Sequence, residues 1–115
     1  MIQTNFKKGD IVWVDLGPIS NSVGHEQALK RPCIVIKDFP SLGMSTVLPL
    51  TSKAKAFYSV VKIEKSDTGM TSDSYALCHQ LRAISHNRIK NKQAALSSRA
   101  FNKIRSVLMD ILELT

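Results

Sequence analysis

The chain is short of cysteine, of acidic side chains and of long apolar runs, and each shortage excludes something. Two cysteines in 115 residues, Cys33 and Cys78, cannot build a disulfide framework. Neither stands in a C-x-x-C pair or beside a histidine at metal-ligand spacing, so both read as small buried hydrophobes in a reducing compartment. The longest apolar stretches, such as Cys33 to Ile36 and Tyr75 to Cys78, fall far short of the roughly 20 residues that cross a bilayer. "MIQTNFKKGD" carries no apolar segment behind its lysines, so a soluble, cytoplasmic, unexported protein is expected, with no membrane partner. The nine Asp and Glu residues are scattered and form no sequence cluster of the kind that recruits Mg²⁺. At this length one domain, residues 1–115, is expected.

Positive charge is what the chain has in surplus. The formal net charge is +7. Between Asp73 and Asp110 lie Arg82, Arg88, Lys90, Lys92, Arg99, Lys103 and Arg105 without one acidic residue. Such a segment attracts polyanions through counterion release, which makes phosphate the expected partner.

Hydrophobic period separates the chain into strands and one helix. "GDIVWVDL" alternates Val12, Val14 and Leu16 against Ile11, Trp13 and Asp15, as a half-buried strand does. Residues 17–31 follow as a long loop, a feature that in a compact domain is more often functional than accidental. "PCIVIKDF" is apolar enough to be buried on both faces. "STVLPLTS" reads as a third strand whose Pro49 marks an end or a bulge, leaving Thr51 just beyond it. "FYSVVKI" and "SYALCHQLRAI" give a fourth and fifth strand. From Ser97 the spacing changes to three and four, with Phe101, Ile104, Leu108, Ile111 and Leu112 on one stripe of a helix that Ser97 or Ser98 caps. Arg99 in its first turn opposes the helix dipole. The expected fold is mainly β or α+β, five or so antiparallel strands in a curled, partly open barrel with a late helix.

The stretch "GHEQALKRPCIVI" sets polar groups at the mouth of a buried strand. Cleavage of RNA without metal requires a base for the 2′-hydroxyl proton, an acid for the departing 5′-oxygen and fixed cations for the charge on phosphorus oxygens. Histidine, glutamate and arginine cover those roles. Arg31 suits the third because its planar fork grips two phosphate oxygens, and Glu26 can orient it from the same loop.

The ordered series "GDIVWVDL", "GHEQALKRPCIVI", "VLPLTS" and "ALCHQLRAISHNRI", followed by an amphipathic helix, resembles the MazF/PemK family of toxin endoribonucleases over nearly the whole chain. Its most specific pieces are Gly9 to Val14, Glu26-Gln27 with Arg31-Pro32, Pro49 to Thr51, and Gln80 to Ile84. The resemblance implies a twisted antiparallel sheet of SH3-like, CcdB-like type with a C-terminal helix, acting as a homodimer. It implies a cofactor-free toxin that cuts single-stranded RNA at short sequences, leaves a 2′,3′-cyclic phosphate and a 5′-hydroxyl, and is inhibited by an antitoxin lying in the RNA groove. The family's functional arginine corresponds to Arg31 and its functional threonine to Thr51.

Two departures stand out. Leu29 occupies a position where members often have glycine, which implies a different local loop conformation. His79 replaces an acidic residue before Gln80, and is either a general acid or base or a stacking and hydrogen-bonding contact to RNA. Further RNA-binding or orienting candidates are Glu26, Gln27, His25, Ser52, Gln80 and Arg82. Lys53 and Lys55 suit phosphates and Tyr58 suits base stacking, while Phe57 is expected in the core and His86 on the surface. Two other readings share the fold: a gyrase poison of the CcdB type, which would not need Arg31 and Thr51 together, and a non-catalytic SH3-like nucleic-acid-binding module.

Overall fold

The period-two segments do pair. The computed structural model describes residues 6–18, 29–53 and 56–114. Strands β1 (Asp10–Asp15), β2 (Lys30–Phe39), β3 (Met44–Thr51), β4 (Val60–Ile63), β5 (Ser74–Leu77), β6 (Arg82–Ser85) and β7 (Ile89–Ala95) precede one helix, α1 (Ser98–Ile111). They form a seven-stranded antiparallel sheet in the order β4-β5-β3-β2-β1-β7, with β6 also beside β3. Among the described residues, no helix is long and apolar enough to cross a membrane.

Alternation assigns each strand's side chains to two faces. Ile11, Ile34, Leu48, Leu50, Ile63 and Ala76 meet the stripe Ala100, Ile104 and Leu108 of α1. Val12, Val14, Cys33, Val35, Val47 and Ile84 form a second cluster on the opposite face. β2 is thus buried on both sides, as its composition requires. β1 is buried on both sides as well, and not half-buried, because Ile11 faces the helix while Val12 and Val14 face the second cluster.

Three elements differ from the sequence reading. The single fifth strand is two strands separated by a 3₁₀ turn at Cys78–Gln80. In one straight strand residues 76, 78 and 84 would share a face, yet Ala76 and Cys78 enter the helix-side cluster and Ile84 the other. The turn resets the phase. β7 gives little signal because only Ile89 and Ala94 are even half-buried. Pro49 neither ends β3 nor bulges it: β3 pairs with β6 through residues 44–47 and with β5 through residues 50 and 51, and Pro49 lies where the partner changes. Thr51 is consequently the last residue of the strand.

Ser97 caps α1, its Oγ accepting from the Ala100 amide at 3.2 Å. Asp67 then resolves the awkward Arg99. One Asp67 oxygen accepts from Arg99 Nη2 at 2.9 Å and from Ser97 Oγ at 3.0 Å, while its carbonyl accepts from the Ser97 amide at 2.8 Å. A buried carboxylate from the turn Lys65–Asp67 therefore anchors the start of the helix. Burial by itself would raise the Asp67 pKa, but the Ser97 hydrogen bond, the Arg99 charge and hydrogen bond, and the Glu64 amide hold it below its ordinary value.

His86 is buried, 6% exposed, and not a surface residue. Its ring lies edge-on to Phe6 at 5.0 Å, and Nε2 bonds Asp38 at 2.7 Å.

Candidate active site

The β2-β3 hairpin, closed by the turn Pro40–Leu42 and a left-handed Gly43, brings the two halves of the site together. Cys33 lies opposite Pro49. Arg31 of β2 and Thr51 of β3 each lie two residues beyond that pair, toward the open end of the hairpin. Flanking strands hold both: Val14 of β1 pairs with Arg31, and Tyr75 of β5 pairs with Thr51. Arg82 of β6 lies opposite Val47, four residues before Thr51 along β3.

The buried Cys33 thiol senses this arrangement. Burial pushes its pKa up to about 12, with Arg82 and then Arg31 drawing it back down, so both guanidinium charges reach one sulfur. Burial alone pushes Cys78 up to about 11. Both thiols are uncharged at neutral pH and have no nucleophilic role there.

Thr51 is 7% exposed, and its Oγ1 accepts from the Lys53 amide at 3.2 Å. That bond occupies a lone pair and leaves the hydroxyl hydrogen to donate, the polarity a phosphate oxygen requires. Ser52 and Lys53 follow immediately as exposed residues. Upstream of Arg31, Leu29 adopts φ +64°, the left-handed conformation that glycine takes without strain. It is clamped by Leu16 N donating to its carbonyl at 2.9 Å and by its own amide donating to Gly17 O at 2.6 Å.

The turn Cys78–Gln80 runs beside β3 between its two partner strands and presents His79, exposed, with Gln80 half-buried. His79 Nδ1 lies 2.6 Å from Ser59 Oγ. Phe57, 58% exposed and so not in the core, meets the His79 ring edge-on at 6.1 Å and Tyr58 at 4.9 Å. Tyr58 is 74% exposed. These rings offer the flat apolar surface on which bases stack.

The structure thus places Arg31 and Thr51 at the hairpin mouth, Arg82 opposite Val47 farther along β3, and His79 and Gln80 on the adjoining turn. His25, Glu26, Gln27 and Lys55 lie outside the described residues. Tyr75 and Ser59 escaped the sequence reading. Tyr75 carried a strand signal only, and Ser59 sits in a turn with nothing local to mark it. Among the described residues, no three His, Cys, Asp or Glu side chains converge as metal ligands would.

An uneven sheet of this course, with an arginine and a threonine at its central hairpin's mouth, defines a MazF-type fold. It superposes on MazF from Deinococcus radiodurans with a TM-score of 0.74 at 22% identity, over 92% of this chain and 94% of that one. An endoribonuclease in complex with its cognate antitoxin from a mycobacterial species gives 0.72 at 17% identity, over 94% and 95%. The chain belongs to the PemK-like, MazF-like toxins of type II toxin-antitoxin systems, whose family profile matches residues 7–112. Endoribonuclease EndoA of Bacillus subtilis is 30% identical over 114 residues, covering 94% of this chain and 95% of EndoA. Endoribonuclease MazF of Staphylococcus saprophyticus is 29% identical over 108 residues, covering 89% and 87%.

Proposed function

We propose that this toxin is a cytoplasmic endoribonuclease that cleaves single-stranded RNA without a metal ion, works as a homodimer, and is neutralised by a cognate antitoxin. The 2′-oxygen attacks phosphorus as its proton passes to water, the bond to the 5′-oxygen breaks, and that oxygen takes a proton from water. A 2′,3′-cyclic phosphate and a 5′-hydroxyl result. Arg31 supplies a fixed positive charge to the phosphorus oxygens, and the Thr51 hydroxyl donates to one of them. His79 and Gln80 face the RNA from the neighbouring turn, Arg82, Ser52, Lys53 and Lys55 follow its backbone, and Tyr58 stacks on a base. Glu26, Gln27 and His25 orient Arg31 or the strand from the preceding loop.

The observation that supports this reading is the placement of Arg31 and Thr51 on adjacent strands, each two residues beyond the Cys33–Pro49 pair of the β2-β3 ladder. A gyrase poison or a passive binding module has no use for that pair. The test is incubation of the purified protein with a defined RNA in EDTA, followed by mapping of cut sites and end groups. Cyclic phosphate ends are expected. Intact RNA, together with an effect on gyrase, would replace this reading with the CcdB-like one.

A further inference from the structure

We infer that Ser59 fixes the tautomer of His79, so that the neutral imidazole carries its proton on Nε2 and meets the RNA as a hydrogen-bond donor and not as a base. The inference rests on the reading that His79 faces RNA. It names a positioning residue for that contact and decides between the two roles open to the histidine.

Ser59 is built into the fold beneath the turn that bears His79. Its residue is 1% exposed, its carbonyl accepts from the Cys78 amide at 3.0 Å, and the next residue, Val60, pairs with Leu77. Its Oγ lies 2.6 Å from His79 Nδ1, and it has no other side-chain partner among the described residues. Phe57 meets the ring edge-on at 6.1 Å. The imidazole is held at one nitrogen and flanked by an aromatic, while His79 as a whole is exposed.

A 2.6 Å contact between a hydroxyl and an imidazole nitrogen allows two proton arrangements. If Nδ1 carries the ring proton and donates to Oγ, the hydroxyl hydrogen must find a second acceptor, and none is in reach of this buried serine among the described residues. A buried donor left unmade loses its hydration and gains nothing in return. If the hydroxyl donates to Nδ1 instead, both groups are satisfied and the ring proton resides on Nε2. The second arrangement is favoured. The Nδ1 lone pair is then engaged by the serine, and the outward nitrogen has no lone pair with which to take a 2′-hydroxyl proton. What it offers is an N–H, aimed by Ser59, for a phosphate oxygen or a base edge.

The test begins with the intact protein. In ¹⁵N NMR at a pH where His79 is neutral, Nε2 should be pyrrole-like and Nδ1 pyridine-like, and Ser59→Ala should convert this to a mixture. In RNA cleavage, His79→Gln, which keeps an N–H donor, should be about five-fold more active than His79→Leu, and should keep the shape of the wild-type pH profile. Ser59→Ala should lower kcat about five-fold in the wild-type background and have no further effect beside His79→Gln. Ser59→Thr should restore the rate. A neutral wild-type ring protonated on Nδ1 overturns the inference, and that measurement needs no variant to fold. An equal Ser59→Ala loss in both backgrounds overturns it too, since the serine would then act through the fold and not through His79. Wild-type cleavage by Arg31→Ala with Thr51→Val would instead refute the nuclease site itself, leaving the NMR result unaffected.

Discussion

Replacing Asp38 with alanine tests the buried polar cluster at the closed end of the central hairpin. One Asp38 oxygen accepts from Ser45 Oγ at 2.6 Å and from His86 Nε2 at 2.7 Å. Ser45 is fully buried, and the His86 and Asp38 side chains are 5% and 9% exposed. His86 Nδ1 already lacks a partner among the described residues, so the substitution strips the ring of its remaining hydrogen bond. Each stranded buried group costs about 1–3 kcal/mol, so a total loss of roughly 3 kcal/mol is a low expectation. At about 2.1 cal/mol/K per residue, 115 residues give an unfolding entropy near 0.24 kcal/mol/K, and the melting temperature should fall by roughly 12 °C. Differential scanning calorimetry measures it. Ser45→Ala alone should cost about 1 kcal/mol, because Asp38 then keeps the histidine. RNA cleavage well below the melt should be unaffected by Asp38→Ala, since the cluster and Arg31 lie at opposite ends of β2. A drop of less than about 4 °C would refute the argument that one carboxylate satisfies both donors.

Arg31→Ala and Thr51→Val should each lower kcat by roughly 10²–10³, as loss of one preorganised charge or donor does, and a loss under ten-fold in gel-based cleavage assays would count against the pair. Asp67 is held below its ordinary pKa, so its stabilising contribution is complete above the unfolded carboxylate's range and is lost as pH falls through the lower folded value. Melting curves of wild type and Asp67→Asn should accordingly differ at neutral pH and converge in acid. Cys33 and Cys78 are raised from 9.0 to about 12 and about 11. Stability should therefore decline as pH rises from about 9 toward those values, and a thiol reagent at neutral pH should label either cysteine only after unfolding.

The core strands and the helix were legible because their side chains alternate or recur at helical spacing, and burial is what those patterns encode. Arg31 and Thr51 were singled out through motif order, and the fold places them on the adjacent strands β2 and β3. The polar edge β7 was not, since Lys90, Asn91, Lys92 and Gln93 all face water and leave no period to read. The break at Cys78–Gln80 was hidden by continuous strand propensity. Only the allocation of Ala76 and Ile84 to different clusters requires it. His86 and Phe57 were assigned to the wrong sides because composition says what a residue prefers, whereas Asp38, Ser45 and Phe6 decide where His86 can go.

The mouth of a two-stranded ribbon is the end that frays first. Here that end carries Arg31 and Thr51, and what keeps it shut is the outer neighbours, β1 at Val14 and β5 at Tyr75. The placement of these two residues is therefore supported by strands that supply neither of them. On the proposed reading, a ligand that peels back either neighbour would disarm the toxin by splaying that end, without competing for the RNA.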